Sequence, residues 1–279
     1  MEMEPKDLNN PVSGKFRSIK NLLLVCFVLI LIGLWWINTP PGLLGKTDAI
    51  GYAVCHRITS HSFTIGDRPF SFCARCTGQY LGFLWGFGIQ IFLSKKRVGF
   101  PPKYILFIMG FLFLIYLSDG INSALHLYPG FQQWSIYEPN NTLRLFSGLG
   151  MGIAISGMLY PLLGQSIWRE VNLQPALSGF GEVGFLFGGG VLLGLMILFG
   201  NPLILYPLIL LSSAGLILLL TILYGMIWVI LFKRENSFRS WSELTWWAVG
   251  GFASAWVQVL VIDLVRYHIT GTWSGFLNY

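Results

Sequence analysis

A run of fifty uncharged residues, 183–232, constrains the fold of this 279-residue chain more than any other feature. Other uncharged runs contain 25, 19, 15, 24 and 19 residues. Because an α-helix needs about 20 apolar residues to cross a hydrocarbon core roughly 30 Å thick, the longest run holds two crossings. The runs together predict an all-α integral membrane protein with about seven transmembrane helices.

The composition excludes several other classes of protein. Hydrophobic residues make up 54% of the chain and charged residues 11%, with a mean hydropathy of +0.64, whereas soluble chains carry roughly 25% charged residues. A disulfide-rich secreted module, a soluble nucleotide-binding enzyme and a disordered tail are therefore excluded. The net charge of +6 is typical of basic loops beside a membrane, so we expect no nucleic-acid partner.

The predicted crossings lie between charged or proline-containing breaks. They cover about residues 22–37, 77–93, 104–126, 143–163, 183–199, 205–232 and 244–265. The first run ends in Trp35-Trp36 and no small-residue cleavage site follows it, which favours an uncleaved anchor over a signal peptide. Glycines in the fourth crossing, Gly148, Gly150 and Gly152, indicate a helix-packing face.

The distribution of lysine and arginine predicts the orientation. One side holds twelve of them and the other five, with Arg144 left at a helix start. By the positive-inside rule the N-terminus is cytoplasmic and the C-terminus external, in the cell (cytoplasmic) membrane. We divide the chain into a cytoplasmic segment 1–20, a four-span core 21–163 with a cysteine loop 38–76, and a three-span part 164–279.

A C-x-x-C motif, Cys73 and Cys76, lies where the cysteine loop becomes the second predicted crossing. The positive end of the helix dipole and the intervening Arg75 both favour a thiolate there. Cys55 lies some seventeen residues upstream, and with His56 it completes a zinc-type ligand set of Cys55, His56, Cys73 and Cys76, with His61 as an alternative to His56. The adjacency of Cys55 and His56 is awkward, because neighbouring side chains rarely point at one ion.

Two other interpretations of these cysteines stay open. A C-x-x-C at a helix start is also typical of thiol-disulfide exchange, in which Cys55 is a third, relaying cysteine. Alternatively, Cys55 forms a static disulfide with Cys73 or Cys76, or the cysteines only pack. About 2 Å between two sulfurs indicates a disulfide, and roughly 3.5 to 4 Å fits shared metal coordination.

Ionisable residues within the predicted crossings indicate function, because burying them in a membrane is costly. Asn122, Ser123 and His126 follow Asp119 at i+3, i+4 and i+7 and so share its helix face. We predict Asp119, His126 and Arg144 as catalytic candidates, with Asp119 as acid or base and Arg144 binding an anionic headgroup. These residues and the cysteines fall in the same leaflet.

Another pair of charges at a helix end, Asp263 and Arg266, closes the last predicted crossing on the same side. We expect these two residues to be interfacial charges that pair with each other or with lipid headgroups.

Several short sequences resemble those of a prokaryotic family of predicted membrane proteins, catalogued as a domain of unknown function. They are Cys55-His56, the run from Phe72 to Gly78, Asp119-Gly120, and the run from Asn140 to Arg144 with Ser147-Gly148. The resemblance covers about residues 50–155 and implies a shared site made of the cysteines, Asp119 and Arg144. It also implies that the last three crossings are an added module. His126 and Asp263 are not among the residues that carry the resemblance.

Three functions fit this sequence. The first is a membrane protein with a zinc-type site at the outer face that supports chemistry on a lipid or another membrane substrate. The second is a membrane thiol-disulfide oxidoreductase that uses Cys73 and Cys76, and the third is a non-enzymatic subunit of a larger complex. The expected partners are membrane lipids and other membrane-protein subunits, and the sequence leaves open whether the protein is an enzyme.

Overall fold

The computed structural model describes residues 11–94 and 96–274, and within them the chain is mostly helical. The α-helices are α1 (Pro11–Asn38), α2 (Leu43–Val54), α3 (Ala74–Leu93), α4 (Lys103–Leu127), α5 (Asn141–Ile167), α6 (Phe180–Leu198), α7 (Pro202–Leu231) and α8 (Trp241–Thr270). Residues 1–10 of the predicted cytoplasmic segment lie outside the described residues.

Six of these helices, α1, α4, α5, α6, α7 and α8, are long and apolar enough to cross a membrane. The remaining predicted crossing, residues 77–93, forms α3, which is 20 residues long but less apolar because it contains Gln79, Gln90 and several glycines. Its position explains this composition. Gln90 is fully buried and donates to Ser156 Oγ of α5 at 3.2 Å, so neighbouring helices shield the polar side chain from lipid. The count of seven crossings and the orientation of the termini stay predictions.

The backbones of α3 and α5 touch along a seam of glycines. A Cβ atom on Gly78 would lie 2.2 Å from the carbonyl oxygen of Leu145, and one on Gly148 would lie 2.1 Å from the carbonyl oxygen of Arg75. Gly82 and Gly152 repeat this contact one turn further on. Small residues permit such an approach in a membrane protein, as the sequence predicted for α5. The seam holds the first turn of α3, at Arg75, against the second turn of α5, at Gly148.

The predicted cysteine loop contains regular structure. Residues 43–54 form α2, and β1 (Thr64–Ile65) pairs antiparallel with β2 (Arg68–Pro69). Two charges made this segment look polar, but both have partners. Lys46 Nζ donates to the carbonyl oxygens of Trp36 and Thr39 at the end of α1, where a cation is favoured, and Asp48 forms ion pairs with arginines.

Three connections meet at the other end of the bundle, which we call the basic end: residues 96–102, 168–179 and 232–240. Strands β3 (Arg97–Gly99) and β4 (Asn172–Pro175) pair in parallel, and the N–H of Arg169 donates to the carbonyl oxygen of Phe238 at 2.9 Å. The three basic loops therefore lie on one side, as the alternation of crossings predicts. The opposite side, which holds residues 55–76 and the first turns of α3 and α5, is called the cysteine end.

Candidate metal centre

Three cysteines meet at the cysteine end. Cys55 directly follows α2, Cys73 precedes α3, and Cys76 lies in the first turn of α3. Their three sulfur atoms all lie within 4.8 Å of one another, with Cys55 and Cys73 buried and Cys76 partly exposed. All three are free thiols, so the alternative of a static disulfide is not the one this structure contains. We call this group the cysteine triad.

Hydrogen bonds within the triad favour the thiolate form of Cys55 over that of the other two cysteines. The thiols of Cys73 and Cys76 bond to the Cys55 sulfur, and the backbone N–H of Cys73 donates to it at 3.2 Å. These bonds hold the pKa of Cys55 well below its ordinary value, although burial acts in the opposite direction. The bond to Cys55 raises the pKa of Cys73 to about 12. A thiolate is the form of cysteine that binds metals and attacks disulfides.

His56 is adjacent to the triad but does not join the group of sulfurs within 4.8 Å. Its Nδ1 accepts a hydrogen bond from the backbone N–H of Ile58 at 3.0 Å, and its ring packs edge to face against His61, with 5.4 Å between centroids. Burial lowers the pKa of both histidines, that of His61 to about 4. Both rings are therefore neutral near pH 7.

Asp119 is held by an arginine that the sequence indicated only as a charge near the thiols. Arg75 donates from Nε and Nη2 to Asp119 Oδ2, at 2.9 and 2.5 Å, and from Nη2 to Ser123 Oγ at 2.9 Å. Tyr137 donates to Asp119 Oδ1 at 2.8 Å, and Ser147 donates to Oδ2 at 3.3 Å. The carboxylate is thus fully engaged and joins α3, α4 and α5 beside the triad.

Arg144 is buried in the first turn of α5, with 4% of its surface exposed. Its Nη1 donates to Asn141 Oδ1 at 3.0 Å and its Nε to Ser123 Oγ at 3.4 Å. None of the ion pairs found among residues 11–94 and 96–274 includes it. Its charge adds to the effect of burial in lowering the pKa of both His56 and His61. The guanidinium therefore lies close to the histidines beside the triad.

His126 is not brought into this site. Asp119, Asn122 and Ser123 are buried on one face of α4, as predicted, but His126 is exposed. The segment after α4 folds back onto Asn122, whose Oδ1 accepts the backbone N–H of Ile136 at 2.7 Å. The buried face of α4 therefore ends at Ser123. The face predicted from spacing does not extend to His126.

Asp263 and Arg266 also bind other parts of the protein. Trp35 donates to Asp263 Oδ2 at 2.8 Å. Arg266 donates to the carbonyl oxygens of Tyr52 and Cys55, at 2.7 Å to the latter, and its guanidinium lies 4.0 Å from the centre of the Tyr52 ring. Arg266 thus fixes the end of α2 at the triad, a role that the expectation of an interfacial charge did not include.

Two contributors to the site were missed by sequence reasoning, Arg75 and Tyr137. The signal for Arg75 was present, because an arginine between two cysteines at the start of a membrane helix requires a partner. The identity of the partner depends on how α3 and α4 are rotated against each other, which local spacing does not encode. Tyr137 comes from a loop and carried no distinguishing pattern.

Comparisons with known proteins agree with the membrane assignment. A family model described as predicted membrane protein (DUF2085) matches residues 55–158. An uncharacterized protein of Methanothermobacter thermautotrophicus is 32% identical over 108 residues, which are 37% of this chain and 81% of that protein. An uncharacterized protein of Methanocaldococcus jannaschii is 28% identical over 124 residues, 44% of this chain and 71% of that protein. No solved structure matches the chain.

The range matched by the family model contains the triad, Asp119 and Arg144. It ends within α5, so α6, α7 and α8 lie beyond it.

Proposed function

Since this chain belongs to the DUF2085 family of predicted membrane proteins, we propose that it is a membrane protein whose cysteine triad binds a transition metal of the zinc type. The observation that supports the proposal is the meeting of three free sulfurs, from two separate segments, within 4.8 Å. Zinc–sulfur bonds of about 2.3 Å require sulfurs roughly 3.5 to 4 Å apart, a separation that this limit includes. Thiolates select zinc or copper(I) over harder ions.

The proposed ligand set is Cys55, Cys73 and Cys76, with a fourth position open. His56 can bind the metal through Nδ1 only if this atom no longer accepts the hydrogen bond from the backbone N–H of Ile58. The ring of His61 packs edge to face against that of His56. Sites with three protein ligands and an open position are typical of catalytic rather than structural zinc. The neutral state of both imidazoles suits either ligation or acceptance of a proton.

Arg144 supports an anionic substrate at the open position. A buried guanidinium without a carboxylate of its own is costly unless an anion compensates it, and the nearby Asp119 is already paired with Arg75. We propose that Arg144 binds the anionic group of a lipid or of another membrane substrate. Asp119 acts in this scheme as a positioning residue, because it orients Arg75 and through it the first turn of α3.

We propose that this site faces the outside of the cell membrane. The support is the concentration of lysine and arginine in the loops at the opposite, basic end, which the positive-inside rule assigns to the cytoplasm.

Thiol-disulfide exchange is the second candidate, supported by the hydrogen bonds from Cys73 and Cys76 that lower the pKa of Cys55. In that reaction Cys55 attacks a substrate disulfide and releases one substrate thiolate. Cys73 or Cys76, after losing its proton, then displaces the second substrate sulfur and leaves a protein disulfide. The burial of Cys55 and Cys73 makes access for a protein substrate difficult, so we rank this reaction below metal binding.

Metal analysis of the purified protein distinguishes the two candidates. We expect about one zinc-type ion per chain, retained in Cys26→Ser, whose thiol lies exposed on α1, and lost in Cys73→Ser and Cys76→Ser. Cobalt loading should produce thiolate-to-metal charge-transfer bands in the unmodified protein and in Cys26→Ser, and not in Cys73→Ser or Cys76→Ser. Absence of metal in the unmodified protein, even after titration with zinc, would overturn the proposal. Redox-dependent labelling of Cys73 and Cys76 in such metal-free protein would then support exchange.

A further inference from the structure

Two adjoining cavities open at the basic end, far from the triad. The first, about 700 Å³, lies among the three basic loops, and the second, about 520 Å³, lies between α5, α7 and α8. Leu163, Ile167 and Trp241 line both. The two cavities therefore form one groove that leads from the loops into the apolar part of the bundle.

The two parts of this groove differ in chemistry. The part among the loops is lined by Lys96, Arg239 and Ser240, with one carboxylate, Glu170. Lys96 and Arg239 are exposed, and neither belongs to an ion pair within the described ranges. The inner part is lined almost entirely by aliphatic and aromatic side chains, with two threonines. A charged mouth thus continues into an apolar slot.

The depth of the slot matches one leaflet of a bilayer. Its lining extends from Val229 to Leu218 on α7 and from Trp241 to Phe252 on α8. At a rise of 1.5 Å per residue, each stretch spans about 16 Å, which is about half of a hydrocarbon core roughly 30 Å thick. A single acyl chain that enters from the basic end fills this depth.

We propose that the groove binds one anionic phospholipid from the leaflet at the basic end. The phosphate lies beside Lys96 and Arg239, and one acyl chain occupies the slot between α5, α7 and α8. Basic pockets between helix ends attract anionic headgroups through charge, and the apolar slot adds burial of the chain. The triad lies at the other end of the molecule, so this site stands whether or not the triad binds metal.

Bromine quenching of tryptophan fluorescence tests the proposal, since Trp241 lines both parts of the groove. The protein is reconstituted in phosphatidylcholine vesicles that contain a minor fraction of phosphatidylglycerol. In one sample bromine is on the phosphatidylglycerol chains, and in the other on the same fraction of phosphatidylcholine. Total composition and charge are then identical. We expect stronger quenching when bromine is on the anionic lipid.

Two variants locate the effect. Lys96→Gln with Arg239→Gln should weaken the preference for the anionic lipid roughly tenfold or more, whereas Lys103→Gln with Arg234→Gln, which removes the same charge at the basic end outside the groove, should preserve it. Ala248→Phe, which fills the slot, should also abolish the excess quenching while both cations remain.

Equal quenching by the two brominated lipids would overturn the proposal, as expected if a helix of another protein occupies the slot. Equal losses in both charge variants would also overturn it, because charge alone would then attract the lipid.

Discussion

At the cysteine end, Arg144 is buried and the Arg75 side chain is only 15% exposed, and both are hydrogen-bonded to neighbouring side chains, whereas at the basic end Arg234 and Arg239 are exposed. The partly exposed ion pair of Arg97 with Glu182, at 2.6 Å, is an intermediate case at the basic end. A buried guanidinium needs compensating groups in fixed positions, and an exposed one is compensated by water, ions or headgroups. The same residue type therefore holds helices in fixed positions at one end, and at the other end it supports the proposed orientation in the membrane.

The largest difference in stability between the two ends is expected when a carboxylate is removed. Asp119→Ala leaves the mostly buried guanidinium of Arg75 without its carboxylate partner, so we expect a loss of about 3 to 5 kcal/mol in the free energy of unfolding. Glu235→Ala, an exposed carboxylate at the basic end, should change it by less than about 0.5 kcal/mol. Unfolding in detergent, followed by circular dichroism, measures both. Comparable losses would contradict the distinction, and Asp119→Leu with Arg75→Met should recover much of the stability.

Glycine substitutions compare the α3–α5 seam with a helix outside the matched range. A side chain at Gly148 would overlap the carbonyl oxygen of Arg75, so Gly148→Val should cost about 2 to 3 kcal/mol and release bound metal. A Cβ atom on Gly188 of α6 would meet only open space, so Gly188→Ala should leave stability unchanged or raised by up to about 1 kcal/mol. Equal effects on metal content would show that the seam does not position the triad.

Acidification should affect the cysteine end through His61. Burial lowers its pKa from 6.5 to about 4, so the stability associated with the neutral ring is complete above pH 6.5 and is lost as the pH falls toward 4. Between pH 7 and pH 4.5, the free energy of unfolding should fall by about 1 to 2 kcal/mol less in His61→Gln than in the unmodified protein. This figure allows for the partial exposure of the ring. Thermal unfolding at the two pH values measures this. His268→Gln, at an exposed position, serves as the control variant.

The smallest effect is expected at His126. Because this side chain is exposed, His126→Ala should change stability by less than about 0.5 kcal/mol and leave the metal content unchanged. A loss of metal in this variant would show that His126 contributes to the site, contrary to its exposed position.

The sequence predicted the helical membrane architecture well, because uncharged runs of about twenty residues have few other solutions. It also identified the triad, since the C-x-x-C motif places two sulfurs on one helical turn. It did not predict that α3 would be surrounded by neighbouring helices. A central helix shielded by its neighbours needs less hydropathy than one facing lipid, and shielding is a tertiary property.

Partners of charged residues were harder to predict. Spacing correctly placed Asp119, Asn122 and Ser123 on one face, because helical periodicity is local. It did not pair Asp119 with Arg75, nor exclude His126, because both outcomes depend on helix rotation and on where the following loop folds. Helix α2 was missed because Lys46 and Asp48 interrupted an apolar run, although both have partners in the fold.

The glycine seam between α3 and α5 prevents water or lipid from passing between these two helices. Where two backbones touch at Gly78, Gly82, Gly148 and Gly152, no space is left for a water file or a sliding lipid tail. Permeation along this line is closed by peptide groups, which cannot swing aside as side chains can. A molecule therefore has no path along this seam from the basic end to the first turn of α3.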